Sequence, residues 1–415
     1  MELEQIKNSN GEKMKRTIKL AVVAALALGT TSAFATNGDA MIGVGAKAIG
    51  MGGVGIGISH GAESALTNPA MITSVEGTEV SFGGTAFMPN VKTNMGDGDG
   101  FHDSAAKFSV IPTVAVAQKG TENFYWGVGM YGVAGMGTDY RNTTSASGVG
   151  YSNMNMVTNL QLMQFVVPLA YKTNGFSIGV APILQYGSLD INYNVATVQN
   201  LNPSATGTKG VAQDFGFGYN VGIGYETSGL TVGASYKSKI DMTYKGQIGQ
   251  AMADFTGTPG SDHLEQPAEI GVGASYKMGG NTFAIDFKQI QWSDAKGYKD
   301  FKWDNQNVIM LGYQYAQDNW ALRAGYNHAN SPIKDQGIAG SLTNVFNLLG
   351  FPAIVESHYT VGASYGFSKM TSLDLAYVYS PEKSEKFAYS LGGPASTIET
   401  KHSQSAATAQ LNFKF

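Results

Sequence analysis

The last five residues, Leu411-Asn412-Phe413-Lys414-Phe415, alternate apolar and polar and close on an aromatic side chain. Alternation at period two is the pattern of a strand with one apolar face. The other end of the chain carries an export signal. Lys13, Lys15, Arg16 and Lys19 form a basic region, and Ile18 to Gly29 is an apolar run too short to cross a bilayer. Ala33-Phe34-Ala35 fits the small-x-small rule for cleavage. These features predict a signal peptide over 1–35 and a mature chain starting near Thr36, with Met14 a better start codon than Met1. An exported chain that stops on a strand-ending Phe is how outer-membrane β-barrels end. The expected location is the outer membrane of a Gram-negative cell.

Composition supports this. Only 14% of the residues are charged, Gly reaches 54, and Tyr and Phe number 21 and 20. Beyond the signal there is no apolar run long enough for a helical span. A closed barrel accounts for the mix, with Gly at strand bends and aromatics in two interfacial girdles. The competing reading is a soluble β-sandwich or solenoid. Cys is absent, which excludes disulfides and thiol chemistry. A net charge of -4 gives no case for nucleic acid.

Fourteen alternating segments can be placed, at 78–92, 106–119, 122–133, 158–173, 175–194, 211–227, 229–246, 264–278, 281–291, 305–317, 319–330, 355–367, 370–380 and 402–415. Tight turns such as Asn174-Gly175 and Gly279-Gly280 alternate with long connections such as 134–157 and 331–354. That asymmetry matches short periplasmic turns and long external loops. The expected fold is all-β: a 14-stranded antiparallel transmembrane β-barrel over 78–415, both of its ends periplasmic. Phe283, Ile285 and Phe287 should face lipid, and Ala284 and Asp286 the lumen. Residues 36–77 lack strand alternation and are rich in Gly and Ala. They predict an N-terminal plug, or hatch, of short helices and turns inside the barrel, because fourteen strands enclose more space than their own side chains fill.

At this point the residues resemble a family, the FadL-type outer-membrane transporters of long-chain fatty acids and aromatic hydrocarbons. The similarity lies in the hatch segment GAKAIGMGGVGIGISHGAESALTNPAMI, in Gly127 to Tyr140, and in the later stretches Ser235 to Gly246, Asn319 to Ile333 and Glu356 to Tyr379. The resemblance implies a hatch-plugged barrel of fourteen strands. It implies a ligand caught at external loops, held in the lumen, and released sideways into the bilayer beside a kinked third strand. Many relatives place Pro before an FG pair in that strand. Here Val133-Ala134-Gly135 stands in its place, so the kink is assigned to Gly127, Gly129, Gly132 and Gly135, with Val133 among them.

Each candidate site has a plain alternative. Asn68, Pro69 and Ala70 cap a short helix or turn, or else position the hatch on the substrate path. The inward charges Lys237, Lys239, Asp241, Glu269, Asp286, Arg323, Glu356 and Asp374 pair across the lumen. Alternatively one cation, Arg323 or a lysine of the 237–239 pair, receives a substrate carboxylate. Met154 and Met156 in one external loop, and Leu342, Phe346 and Leu349 on an amphipathic helix in another, either pack on each other or form a greasy landing groove. Gly50 to Gly55 satisfies GxGxxG without the βαβ setting a nucleotide requires. The histidines lack metal spacing, and Ser364, His358 and Asp374 on neighbouring strands are the nearest thing to a catalytic set.

The expected function is passive uptake of hydrophobic small molecules, with no enzymatic activity, no cofactor and no metal. Expected partners are the ligand, outer-membrane lipid or lipopolysaccharide, and the barrel-assembly machinery, with the protein itself a monomer. The alternatives are a general water-filled porin and a structural or receptor barrel.

Overall fold

A computed structural model of the chain describes residues 36–141, 153–200, 202–391 and 393–415. The expected signal peptide, 1–35, lies outside the described residues. The wall is built of fourteen antiparallel strands: β1 Thr78–Asn94, β2 Ser109–Lys119, β3 Phe124–Asp139, β4 Val157–Val166 continued as Leu169–Thr173, β5 Phe176–Asn192, β6 Ala212–Thr227, β7 Leu230–Lys237, β8 Glu269–Met278, β9 Asn281–Ile290, β10 Gln306–Gln317, β11 Trp320–Ala329, β12 Ser357–Gly366, β13 Thr371–Tyr389 and β14 Ser396–Lys414. Each strand pairs with its sequence neighbours, and β14 returns to β1, from Glu79↔Lys414 to Asn94↔Glu399. The circle of strands is closed, as a chain in hydrocarbon requires.

The C-terminal Phe closes this seam. The Phe415 N–H donates to the Thr78 carbonyl at 2.9 Å, and Phe82 stacks on Phe413 across it. The face assignments hold. Phe283, Ile285 and Phe287 are exposed on the lipid side, while Ala284 and Asp286 are buried inside. Phe217 is 78% exposed, which in this setting means contact with lipid rather than water.

Several strand boundaries differ from the sequence reading. β7 stops at Lys237, although Ile240, Met242 and Tyr244 continue the alternation. These three are fully buried because the chain leaves the wall there and packs inward on Gly216 and Gly218, bridged by Gln266 and His263. β8 accordingly starts later, at Glu269. β3 runs on to Asp139, past the expected loop start. β13 and β14 extend outward as a long hairpin, with a bulge between Ser380 and Lys383. β4 breaks at Val167-Pro168 opposite Pro182, because proline has no N–H to give the ladder, yet pairing resumes on both sides in the same register.

Residues 36–77 fill the lumen as expected. They form a helix α1, Ala46–Gly50, and two 3₁₀ turns, Gly61–Ala65 and Pro69–Ser74. Asn68 caps the second turn by accepting the Ala70 N–H at 3.1 Å. Thr36, where the described residues begin, is buried within the lumen. The glycine-rich stretch lies so close to the wall that side chains are excluded. A Cβ at Gly325 of β11 would fall onto the backbone of Met51 and Gly52, and one at Gly57 onto the backbone of Gly273 and Ala274 in β8. GxGxxG here is a close backbone approach, with the Gly52 N–H donating to Thr360 Oγ1 at 2.9 Å.

Gly325→Ala should therefore unseat the hatch and spare the barrel. Single-channel conductance in planar bilayers should rise, while the unboiled protein keeps its anomalous gel mobility. Unchanged conductance in a folded variant would show that the hatch is not held at this approach.

Candidate functional site: the lumen and the break beside the third strand

Besides β6–β7, which ends at Asn220↔Lys237 where the chain turns inward, the ladder stops short between β2 and β3. β2 and β3 pair from Lys119↔Tyr125 to Thr113↔Tyr131. The next position would set Pro112 against Gly132, and Pro112 offers no N–H. From there β3 leaves β2. On its other side, β3 and β4 shift register between Gly132 and Ala134, so Val133 is the bulged residue. The backbone groups released at the bulge are taken up by the hatch. The Met41 N–H donates to the Val133 carbonyl at 3.1 Å, and the Gly135 N–H to the Asp39 carbonyl at 3.0 Å. The sequence assigned the bend to the glycines of β3. The structure sets the bulge at Val133, between two of them, and puts a proline in the facing strand.

The hatch is fixed by polar groups of the wall. Asp286 of β9 accepts the N–H groups of Gly55 and Ile56, both at 2.6 Å, and of Gly57 at 3.2 Å. Three amides on one carboxylate form a charge-assisted nest. Asn68 Nδ2 donates to the Ile56 carbonyl at 2.8 Å and to Ile223 of β6 at 3.1 Å, so the Asn-Pro-Ala element ties hatch to wall as well as capping its turn. On the opposite side Lys47 lies 3.6 Å from both Glu63 and Asp374 of β13.

The inward charges fall into separate groups. Lys237 pairs with Glu269, which also holds Lys288 at 2.8 Å. They border a small lumenal cavity of about 70 Å³ that reaches Met41, Ile42 and Val133. Arg323 donates to Gln314 at 2.8 Å and Ser364 at 2.6 Å. It lines a different cavity, about 470 Å³, bounded by Gly229 and Gly280 at the periplasmic turns. Glu356 pairs with Lys383 at 2.9 Å. Lys239 and Asp241 are not on the wall, because β7 has ended. Lys239 reaches Glu265 at 3.4 Å, and Asp241 holds His263 and Lys296. Ser364 bonds to Asp374 and Arg323, whereas His358 faces Gln404 at 2.8 Å, so the three residues do not form a proton relay.

The external apolar residues lie against each other. Met154, Met156, Phe346 and Leu349 are buried, and Leu342 packs on the same cluster. The expected helix is present as Ser341–Val345, widened to a π-turn over Phe346–Gly350. It is fastened to β3 and β4 where Thr138 Oγ1 donates to the Leu349 carbonyl at 2.7 Å and Thr158 Oγ1 bonds to the Gly350 carbonyl. Sequence reasoning missed a second cap. Trp292, Tyr298 and Trp303 meet at tilted and edge-on angles with centroids 4.6 to 5.1 Å apart, pressed on Gly38. The two tryptophans in one loop, at 292 and 303, were the available signal.

A barrel sealed by a hatch bonded to its wall, with an apolar external cap and a ladder cut short beside β3, defines an outer-membrane transporter for hydrophobic solutes. The chain belongs to the outer membrane protein transport protein family (OMPP1/FadL/TodX), which it matches over residues 20–415. It is 25% identical over 369 residues to a 47 kDa outer membrane protein of Pasteurella multocida, covering 80% of this chain and 86% of that one. It is 24% identical over 458 residues to a long-chain fatty acid transport protein of Escherichia coli, covering 96% and 98%. The fold is that of a Pseudomonas aeruginosa FadL homologue (TM-score 0.70, 15% identity, 91% and 100% covered) and of the Pseudomonas putida toluene transporter TodX (0.67, 19%, 92% and 100%).

Hatch seating should depend on pH through Glu63. Burial pushes its carboxyl from 4.5 up to about 7, outweighing the Lys47 ammonium that it shares with Asp374. An acid with a raised folded pKa binds its proton more tightly in the seated state. Seating is then strongest at low pH and weakens as pH rises through 7. His60, pushed down by burial to about 4, opposes this only below its ordinary value of 6.5. Between pH 6.5 and 8 the open-channel fraction should rise a few-fold, and Glu63→Gln should remove that rise. A flat wild-type profile over this window would refute the assignment.

Proposed function

We propose that this protein takes up hydrophobic small molecules passively across the outer membrane. The ligand enters between the external loops, passes the lumen above the hatch, and leaves sideways into the bilayer between β2 and β3. The observation that carries this reading is the end of the β2–β3 ladder at Thr113↔Tyr131, with the Val133 bulge and Pro112 beside it. A hydrophobic solute gains about 0.8 kcal/mol per methylene on entering an apolar phase, so lipid is a better destination than the periplasm.

Charge balance favours an uncharged ligand over a carboxylate. Lys237 and Lys288 are matched by Glu269 and the nearby Asp39, two lysines against two carboxylates. Arg323 is engaged by neutral partners and lines the cavity on the periplasmic side of the hatch, away from the entry path. The porin alternative is disfavoured by a hatch that bonds to the wall on several sides.

Deleting Val133 removes the extra residue and lets β3 run in one register with β4. Uptake of a radiolabelled neutral hydrocarbon such as toluene by cells lacking other transporters should fall at least about tenfold, the factor that 1.4 kcal/mol corresponds to. Export and gel mobility should be preserved. Uptake at the original rate would exclude exit at this seam, and faster uptake of oleate than of toluene by the unaltered protein would overturn the neutral-ligand reading.

A further inference from the structure

On the periplasmic side of the hatch lies the cavity of about 470 Å³ that Arg323 lines. The hatch contributes Lys47, Ser59 and His60 to it, and the periplasmic turns contribute Gly229 and Gly280. Pockets that hold small organic ligands run from about 300 to 1,000 Å³, so there is room for more than an inorganic ion. One wall is a row of inward residues fixed by strand register. Lys277 of β8 stands opposite Thr282 of β9, Thr282 opposite Gln314 of β10, and Gln314 opposite Arg323 of β11.

The cations facing this space are not all matched. Lys414 lies 3.9 Å from Glu79, and Glu226 holds Lys172 at 2.8 Å. Lys47 lies 3.6 Å from both Glu63 and Asp374, too far for a hydrogen bond to either, and donates to the His60 carbonyl at 3.3 Å. Among the described residues neither Arg323 nor Lys277 forms an ion pair with a carboxylate. Arg323 is only 7% exposed; it spends Nε on Gln314 and Nη1 on Ser364, which leaves Nη2 for the cavity. Lys47, Lys172, Lys277, Arg323 and Lys414 thus set five cations against the four carboxylates Glu63, Glu79, Glu226 and Asp374. Arg323 and Lys47 are also near enough for their charges to repel. A charge withdrawn from water without a counter-ion is costly. We propose that this vestibule binds an organic monocarboxylate from the periplasm, held between Arg323 and Lys277 of the wall and Lys47 of the hatch. A single negative charge restores the balance, and Ile58 and Ala316 offer apolar contact to the body of the ligand. Because the site is shared by hatch and wall, occupancy favours the seated hatch. None of its lining residues belongs to β2 or β3, so its test does not depend on where solutes leave the barrel.

Calorimetric titration of the purified protein in detergent, at neutral pH and fixed ionic strength, should show saturable binding of sodium benzoate. Its affinity should exceed that of benzamide, the uncharged counterpart, by at least about tenfold, the order expected for one hydrogen bond to a charged group. Arg323→Gln should bring benzoate down to the level of benzamide. Lys277→Gln, at an exposed position, should weaken benzoate a few-fold. Both variants should keep the anomalous gel mobility of the unboiled protein. In planar bilayers benzoate should lower the open-channel fraction of the unaltered protein, and benzamide should not. Equal affinity for benzoate and benzamide would overturn the proposal, and so would tighter binding of inorganic phosphate. Unchanged benzoate affinity in whichever variant folds, or an open-channel fraction that ignores benzoate, would overturn it as well.

Discussion

An amide in hydrocarbon has no water to turn to, so every strand of this wall must find its partners in another strand. Closure between β1 and β14 follows from that requirement, and so does the character of the exception. Where β3 parts from β2, its freed groups are taken up by Met41 and Asp39 of the hatch. The hatch is therefore more than a stopper, because it completes the hydrogen bonding of a strand that the barrel leaves incomplete. The same logic explains why Pro112, Pro168 and Pro182 cluster about this region: each is a residue that asks nothing of a neighbouring strand through its nitrogen.

The lumen obeys the complementary rule. Polar side chains inside are held in local sets, and three of these sets fix particular pieces of hatch. Asp286 gathers three consecutive amides, Lys47 joins Glu63 to Asp374, and Asn68 bridges to β6. Glycines in the wall bring the two backbones close enough for these bonds. What remains open beside the bulge is the small cavity that reaches Met41, Ile42 and Val133.

The wall was largely legible in the sequence, because period-two alternation is a local property and because Phe283, Ile285 and Phe287 report the lipid face directly. The hatch was legible as a loss of alternation. Two things were not. Ile240, Met242 and Tyr244 alternate like a strand, yet turn inward onto Gly216 and Gly218, a choice set by space in the lumen rather than by the segment itself. The bend in β3 was sought in its own glycines, whereas its cause also lies across the ladder in Pro112. Pairings between distant residues, such as Lys47 with Asp374 or Asp39 with Tyr298, leave no local pattern to read.

The seam carries a consequence for biogenesis. β1 begins directly after the hatch, but its closing partner β14 is the last wall strand in chain order, more than three hundred positions later. The enclosure that the hatch occupies does not exist until that last strand arrives. Contacts of such long sequence separation are reached slowly, because loop entropy is surrendered before the contacts repay it. The plug must therefore wait, unfolded or loosely ordered, while the sheet that will surround it is laid down. Closing the cylinder and trapping its contents are then a single late event, and the terminal Phe415 acts as the clasp.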